Sequence, residues 1–304
     1  MALLQEMLAD VGPRWGQDIT AHATTVKDAY LPLLRAASKA GVTRVDDLAY
    51  GDHPRQVMDL YLPSAAADDP KSVLPVVVYV HGGAFVLGDK DSNGEMFGNV
   101  LTWFARQGYI GINLEYRLAG EAPYPGGAQD VAKACAYIKE HIARYGGDPS
   151  RICLIGHSAG GTHAAGYAYD PLLGLFGKDI SHLVLLSARL RADAAPDNPN
   201  AANVKAYFGA DESLYDERSP LTYGAASRIP VFIVTAEYEN PLLDVYGLEL
   251  ALRIAQAQRK APRYLSVRRH NHVSIVAHFN TDDEFLGREI MDFLDHTPGR
   301  ADTP

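Results

Sequence analysis

Residues 152–161 read Ile-Cys-Leu-Ile-Gly-His-Ser-Ala-Gly-Gly. The apolar run Ile152 to Ile155 has the character of a buried strand, and it stops abruptly at Gly156-His157-Ser158-Ala159-Gly160. The stretch that follows, Thr162 to Tyr169, is small and alanine-rich, as a helix start should be. A G-x-S-x-G pattern between strand and helix pushes the serine out of the sheet on a tight turn. The glycines are needed because a Cβ there would meet the neighbouring strand or helix. The turn also sets the serine at a helix N-terminus, where free N–H groups and the dipole favour negative charge. Ser158 is therefore the candidate nucleophile.

Working outward, strand-like and helix-like segments alternate. Asp46 to Tyr50 and Val57 to Leu62 alternate like half-exposed strands, and Val76 to Val80, Tyr109 to Leu114 and Ile152 to Ile155 are continuous apolar runs. His182 to Leu186, Val231 to Thr235 and Tyr264 to Val267 complete the set. Helical stretches intervene at 95–106, 127–145, 159–168, 242–258 and 283–295. Such alternation with fully apolar strands predicts an α/β fold, a mostly parallel central sheet flanked by helices. Residues 1–42 precede it and carry helical spacing at Leu3, Leu4, Met7 and Leu8, then at Tyr30, Leu31, Leu33 and Leu34. They are expected to form a small N-terminal helical cap over a main domain at 43–298. Residues 190–227 interrupt the alternation and predict an excursion near the site.

The chain has 304 residues, 47% hydrophobic and 21% charged, which suits one large core. Its net charge of −9 argues against nucleic acid or an anionic membrane as partner. Two cysteines, Cys135 and Cys153, cannot build a disulfide framework and fit a reducing compartment as small core residues. The start, Met1-Ala2-Leu3-Leu4-Gln5-Glu6, does not read as a signal peptide, and no apolar run approaches a membrane span. The expectation is a cytoplasmic protein.

A nucleophilic serine needs oxyanion donors, a general base and a group that orients the base. His81-Gly82-Gly83-Ala84-Phe85 follows the strand Val76–Val80, and paired glycines let backbone N–H groups approach a ligand. Gly82, Gly83 and Ala159 are the expected donors, while His81 and His157 read as structural. After the last strand, His270-Asn271-His272-Val273-Ser274 offers two imidazoles. His272, deeper in the loop, is the preferred base and His270 the fallback. After the strand Val231–Thr235 three carboxylates compete, Glu237, Glu239 and Asp244. Glu239 is preferred, with Asp244 as the alternative. The order Ser158, Glu239, His272 matches nucleophile, acid, base. Phe85, Tyr116 and Tyr238 are candidate substrate-pocket residues, with Tyr207 and Phe208 also near site loops.

Taken together, these motifs resemble the α/β-hydrolase superfamily, and within it the hormone-sensitive-lipase-like esterases and the formamidase-like carboxylesterases. The resemblance rests on His81 to Phe85, on Gly156 to Gly161, and on Asn113-Leu114-Glu115-Tyr116-Arg117-Leu118-Ala119 with Tyr124-Pro125 and Gln129-Asp130. The run Gly146-Gly147-Asp148-Pro149-Ser150-Arg151 adds to it, and the similarity spans about residues 45–295. Two positions depart from the pattern. Asn240 stands where the family has its aspartate, and the histidine loop is closer to the formamidase-like form. The resemblance implies a serine carboxylesterase acting on small esters through an acyl-enzyme, with an aryl formamide, amide or carbamate as the alternative bond. A non-catalytic ligand-binding protein on the same fold is the third reading. No cofactor is implied. No metal site is expected either, because His270 and His272 lack a third local ligand. The final helix, 283–295, could support a homodimer.

Overall fold

The computed structural model describes residues 2–64 and 73–300. Met1, part of the leader reading and of the 1–42 segment, and residues 65–72 of the main domain lie outside them. Among the described residues, eight strands form one sheet in the order β1-β2-β4-β3-β5-β6-β7-β8. They are β1 (Val42–Ala49), β2 (Val57–Pro63), β3 (Leu74–Val80), β4 (Ile110–Leu114), β5 (Gly147–His157), β6 (His182–Leu186), β7 (Val231–Tyr238) and β8 (Arg263–Asn271). The pairs β1–β2 and β2–β4 are antiparallel, and every other pair is parallel.

The continuous apolar runs are buried on both faces, and their period of two divides the side chains between two cores. Val76, Val78 and Val80 join Ile152, Leu154, Leu183 and Leu185 on one side. Val77 and Tyr79 join Cys153, Ile155, Val184 and Leu186 on the other. The first core is covered by α4 (Gly126–His141), α5 (Ala159–Tyr169) and α9 (Leu243–Gln258). The second lies under α3 (Gly98–Arg106) and α10 (Phe285–His296). Both cysteines are buried and unpaired by disulfide.

The N-terminal stretch is helical in two pieces, α1 (Ala2–Val11) and α2 (Ile19–Ala36), with a 3-10 turn at Gly12–Gln17 between them. Pro13 sits in the first turn of that short helix, where its missing N–H costs nothing. Asp18 caps α2 by accepting the Ala21 amide at 3.0 Å. Leu8, Val11, Trp15, Val26, Tyr30 and Leu34 from this stretch pack into the second core, beside Phe97 and Val276. The excursion at 190–227 holds α6 (Ala201–Phe208) and the single turns α7 (Tyr215–Arg218) and α8 (Pro220–Tyr223).

Two strands run further than their apolar character suggests. β7 continues past Thr235 to Tyr238, and β8 continues past Val267 to Asn271, with Tyr238 paired to Asn271 beyond a register shift. Ladder hydrogen bonds need only backbone, so pairing outlasts the apolar pattern. The result places Glu239 and His272 directly after two adjacent strands. The turn after β5, the loops after β3 and β6, and these two strand ends all gather at the carboxyl edge of the parallel sheet, where α/β folds bind ligands.

Candidate active site

Ser158 is the single residue between β5 and α5, and its backbone has a positive φ, with φ 55° and ψ −120°. Such a conformation costs about 1–3 kcal/mol and persists only when its surroundings impose it. Here the Ser158 amide donates to Leu186 O at 3.1 Å, and the Ser158 carbonyl accepts from Gly161 at 3.0 Å and Arg189 at 3.2 Å. Gly160 permits the turn: a Cβ there would lie 2.2 Å from Val80 O and 2.4 Å from His81 O. α5 can therefore start against the end of β3.

His272 Nε2 lies 3.0 Å from Ser158 Oγ, and its Nδ1 lies 2.9 Å from Glu239 Oε2. A carboxylate only accepts, so Nδ1 carries the proton and Nε2 is left with a lone pair facing the serine hydroxyl. The Glu239 side chain is buried, and its second oxygen accepts from the Ser187 hydroxyl and from the Ala236 amide, the latter at 2.7 Å. His272 is anchored through its backbone as well. Its amide donates to Tyr238 O at 3.1 Å, and its carbonyl accepts from His157 Nε2 at 2.9 Å. Burial, and then the neighbouring His272, push the His157 imidazole well below its ordinary range, so it stays neutral and donates that one proton.

The other expected acids and base go elsewhere. Glu237 accepts the Arg269 amide, and Asp244 is exposed in the first turn of α9, accepting from Val245. His270 lies in β8, its ring between Ser274 Oγ at 3.1 Å and Asp283 at 3.2 Å. Asn240, in the position where an aspartate was expected, accepts a hydrogen bond from Trp15 Nε1 at 2.9 Å and ties the N-terminal stretch to the acid loop. Ser187, Ala236 and Trp15 have no sequence signal of their own. Their roles arise from strand ends meeting in space.

The loop after β3 packs tightly on the nucleophile turn. A Cβ on Gly82 would come within 2.9 Å of Ser158 Cβ. His81 fixes the loop: its Nε2 is 3.2 Å from Glu115 Oε1, and its carbonyl accepts from Tyr116 Oη at 2.8 Å. Burial alone would raise the Glu115 carboxyl, but hydrogen bonds from His81 and Lys90 and the nearby Arg55 outweigh it and hold it below the usual range. Among the described residues, none of the N–H groups of Gly82, Gly83 and Ala159 donates a backbone hydrogen bond. That leaves them available to an oxyanion.

A cavity of about 350 Å³ opens above Ser158, walled by Gly82, Gly83, Met96, Phe97, His272 and Val276. The N-terminal stretch closes one side with Trp15, Ile19, Thr20 and Lys27. The three aromatic residues expected in the pocket do not line this cavity, a correction to the sequence reading. Phe85 is stacked on Tyr207 at 4.7 Å in a separate cluster with Phe208. Tyr116 is stacked on His81 at 4.4 Å, fully buried behind the loop. Tyr238 borders another cavity, with Leu4 and His270. Phe85 and Tyr116 are large rings next to site loops that burial in the fold claims first, while Tyr238 is half-buried and packs against the second core. A larger cavity, about 650 Å³, lies at the amino ends of the strands beside Tyr109 and His182, away from Ser158.

Inhibited esterase B from Lactobacillus rhamnosis superposes with a TM-score of 0.72 over 95% of this chain and 96% of its own, at 21% identity. A bacterial heroin esterase superposes with a TM-score of 0.68 over 95% of both chains, at 23% identity. The chain has the α/β-hydrolase fold. The BD-FAE family matches residues 58–182 of this chain. Esterase LipI of Mycobacterium tuberculosis is 31% identical over 200 residues, 61% of this chain and 61% of LipI. Carboxylesterase NlhH of the same species is 40% identical over 111 residues, 35% of this chain and 31% of NlhH. The chain thus spans less than two thirds of the length of these curated relatives.

Proposed function

We propose that this α/β-hydrolase is a serine carboxylesterase that cleaves small esters through an acyl-enzyme. The observation that carries the reading is the continuous hydrogen-bonded path from Ser158 Oγ through His272 to Glu239, with steps of 3.0 and 2.9 Å. Ser158 Oγ attacks the ester carbonyl as His272 Nε2 takes its proton, and Glu239 stabilises the resulting imidazolium. The carbonyl oxygen becomes an oxyanion held by the N–H groups of Gly82, Gly83 and Ala159. As the tetrahedral species collapses, His272 protonates the departing alcohol, leaving the acyl group on Ser158. Water then attacks with His272 again as base, releasing the acid and restoring the serine. Residues 1–42 act in this reading as a cap, because Trp15, Ile19 and Lys27 border the cavity over the serine. The esterase and carboxylesterase names of the relatives favour ester over amide.

The test is burst kinetics on a p-nitrophenyl ester, with organophosphate labelling alongside. The wild type is expected to give a burst and to be labelled on Ser158, and Ser158→Ala to do neither. A burst that survives Ser158→Ala removes this serine from the reaction.

A further inference from the structure

The cavity over Ser158 carries one fixed charge, and it comes from the N-terminal stretch. Lys27 on α2 lines the cavity, whose only other titratable lining groups are His157 and His272. Lys39 pairs with Glu95 at 2.7 Å, Lys90 with Asp59 at 2.9 Å and Lys205 with Glu212 at 2.9 Å, whereas Lys27 shares with Lys133, Lys139, Lys178 and Lys260 the absence of an ion pair among the described residues and differs from them in facing the cavity over Ser158. Among the described residues, no carboxylate lies within 4.0 Å of the Lys27 ammonium. A chain with net charge −9 has acids to spare, yet none is placed here.

The field of this ammonium reaches His157, whose ring lies 4.8 Å from that of His272. After burial and His272, Lys27 is the next influence that pushes the His157 imidazole down. A cation so placed works against the positive charge that His272 must take on during acyl transfer. It is therefore a handicap for a neutral ester, and the handicap is removed when the substrate brings an anion of its own. Asn200 and Asn203, from α6 and the residue before it, also border the cavity, and their carboxamides donate to no other described residue. They add neutral donors to the same space.

We propose that Lys27 pairs with a carboxylate on the substrate, so that the preferred substrates are esters bearing a second, ionised acid group, such as half-esters of short dicarboxylic acids. This rests on the carboxylesterase reading of the site. A cavity of about 350 Å³ suits a short acyl chain.

The experiment compares p-nitrophenyl pentanoate with mono-p-nitrophenyl glutarate, two esters of equal acyl length. The wild type is expected to favour the glutarate ester at least tenfold in kcat/KM. In Lys27→Gln that ratio is expected to fall at least tenfold, mostly through KM. Lys27→Glu should reverse the preference, and Lys27→Arg should keep most of it. An unchanged ratio in a folded Lys27→Gln variant overturns the proposal. If the wild type hydrolyses neither ester, the carboxylesterase reading fails. Calorimetric binding of glutarate to Ser158→Ala and to Ser158→Ala/Lys27→Gln then still decides on Lys27: tighter binding to the first supports the pairing, and equal or absent binding in both refutes it.

Discussion

Ser187 Oγ donates to Glu239 Oε1, the carboxylate oxygen turned away from His272. The Ala236 amide donates to the same oxygen at 2.7 Å. A glutamate has one more rotatable bond than an aspartate, and these two donors restrict it. A hydrogen bond to a charged group is worth about 1.5–3 kcal/mol. Ser187→Ala is therefore expected to lower kcat/KM on a p-nitrophenyl ester about tenfold and to cost about 1–2 kcal/mol in urea denaturation. Full activity in that variant would show that Glu239 is held by its other contacts alone.

The competing carboxylates separate cleanly by substitution. Glu239→Gln removes the acceptor that keeps the His272 proton on Nδ1, and a loss in kcat of about 10³–10⁴ is expected by analogy with other triads. Asp244, exposed and turned to Val245, should tolerate Asn within about twofold. Steady-state rates for both variants provide the check, and a larger effect at Asp244 would reverse the assignment.

Two glycines at the site should respond differently. A methyl on Gly82 would press on Ser158 Cβ at 2.9 Å and His157 Nδ1 at 3.1 Å, side-chain atoms of the site itself. Gly82→Ala should keep most of its stability and lose about 10²-fold or more in kcat, as for a lost oxyanion donor. A methyl on Gly160 would meet Val80 O at 2.2 Å, which is sheet backbone. Gly160→Ala should cost more than about 2 kcal/mol, because an overpacked core costs about 1–3 kcal/mol or more. Thermal melts and kinetics on the pair distinguish a reacting-site effect from a folding one.

Burial pushes the imidazole of His278 down to about 4 and that of His163 down to about 3. Unfolded histidines titrate near 6.5. The folded state thus binds fewer protons, so stability is full above about pH 6.5 and falls as the pH drops towards 4. His278 Nδ1 donates to Ser274 O at 2.9 Å, so its replacement also removes a bond. The diagnostic quantity is the slope. In His278→Gln, the dependence of unfolding free energy on pH between 4 and 6.5 should become shallower by up to one proton, about 1.4 kcal/mol per pH unit. Urea midpoints measured across that range report it.

Much of this arrangement is legible in the sequence because it depends on local backbone demands. The Gly-His-Ser-Ala-Gly turn, the paired glycines after β3 and the apolar strand runs each state their geometry within a few residues. The boundaries of β7 and β8 are not legible. Their last pairs are polar and held by backbone bonds, so the apolar pattern stops before the strands do. The aromatic pocket reading fails for a related reason. Phe85 and Tyr116 sit beside site loops in sequence, but a large ring gains more from full burial than from facing a cavity.

By itself the sequence determined the α/β layering, the serine turn and the order of the serine, carboxylate and imidazole proposed to react, since these follow from periodicity and turn chemistry that neighbours in the chain impose. Only the tertiary structure decided which carboxylate meets His272, that Ser187 and Trp15 support that meeting, and that Lys27 overlooks the serine. Those relations join strand ends and helices far apart in the chain, and no local rule specifies how such distant pieces face one another once the sheet has twisted and the two cores have packed.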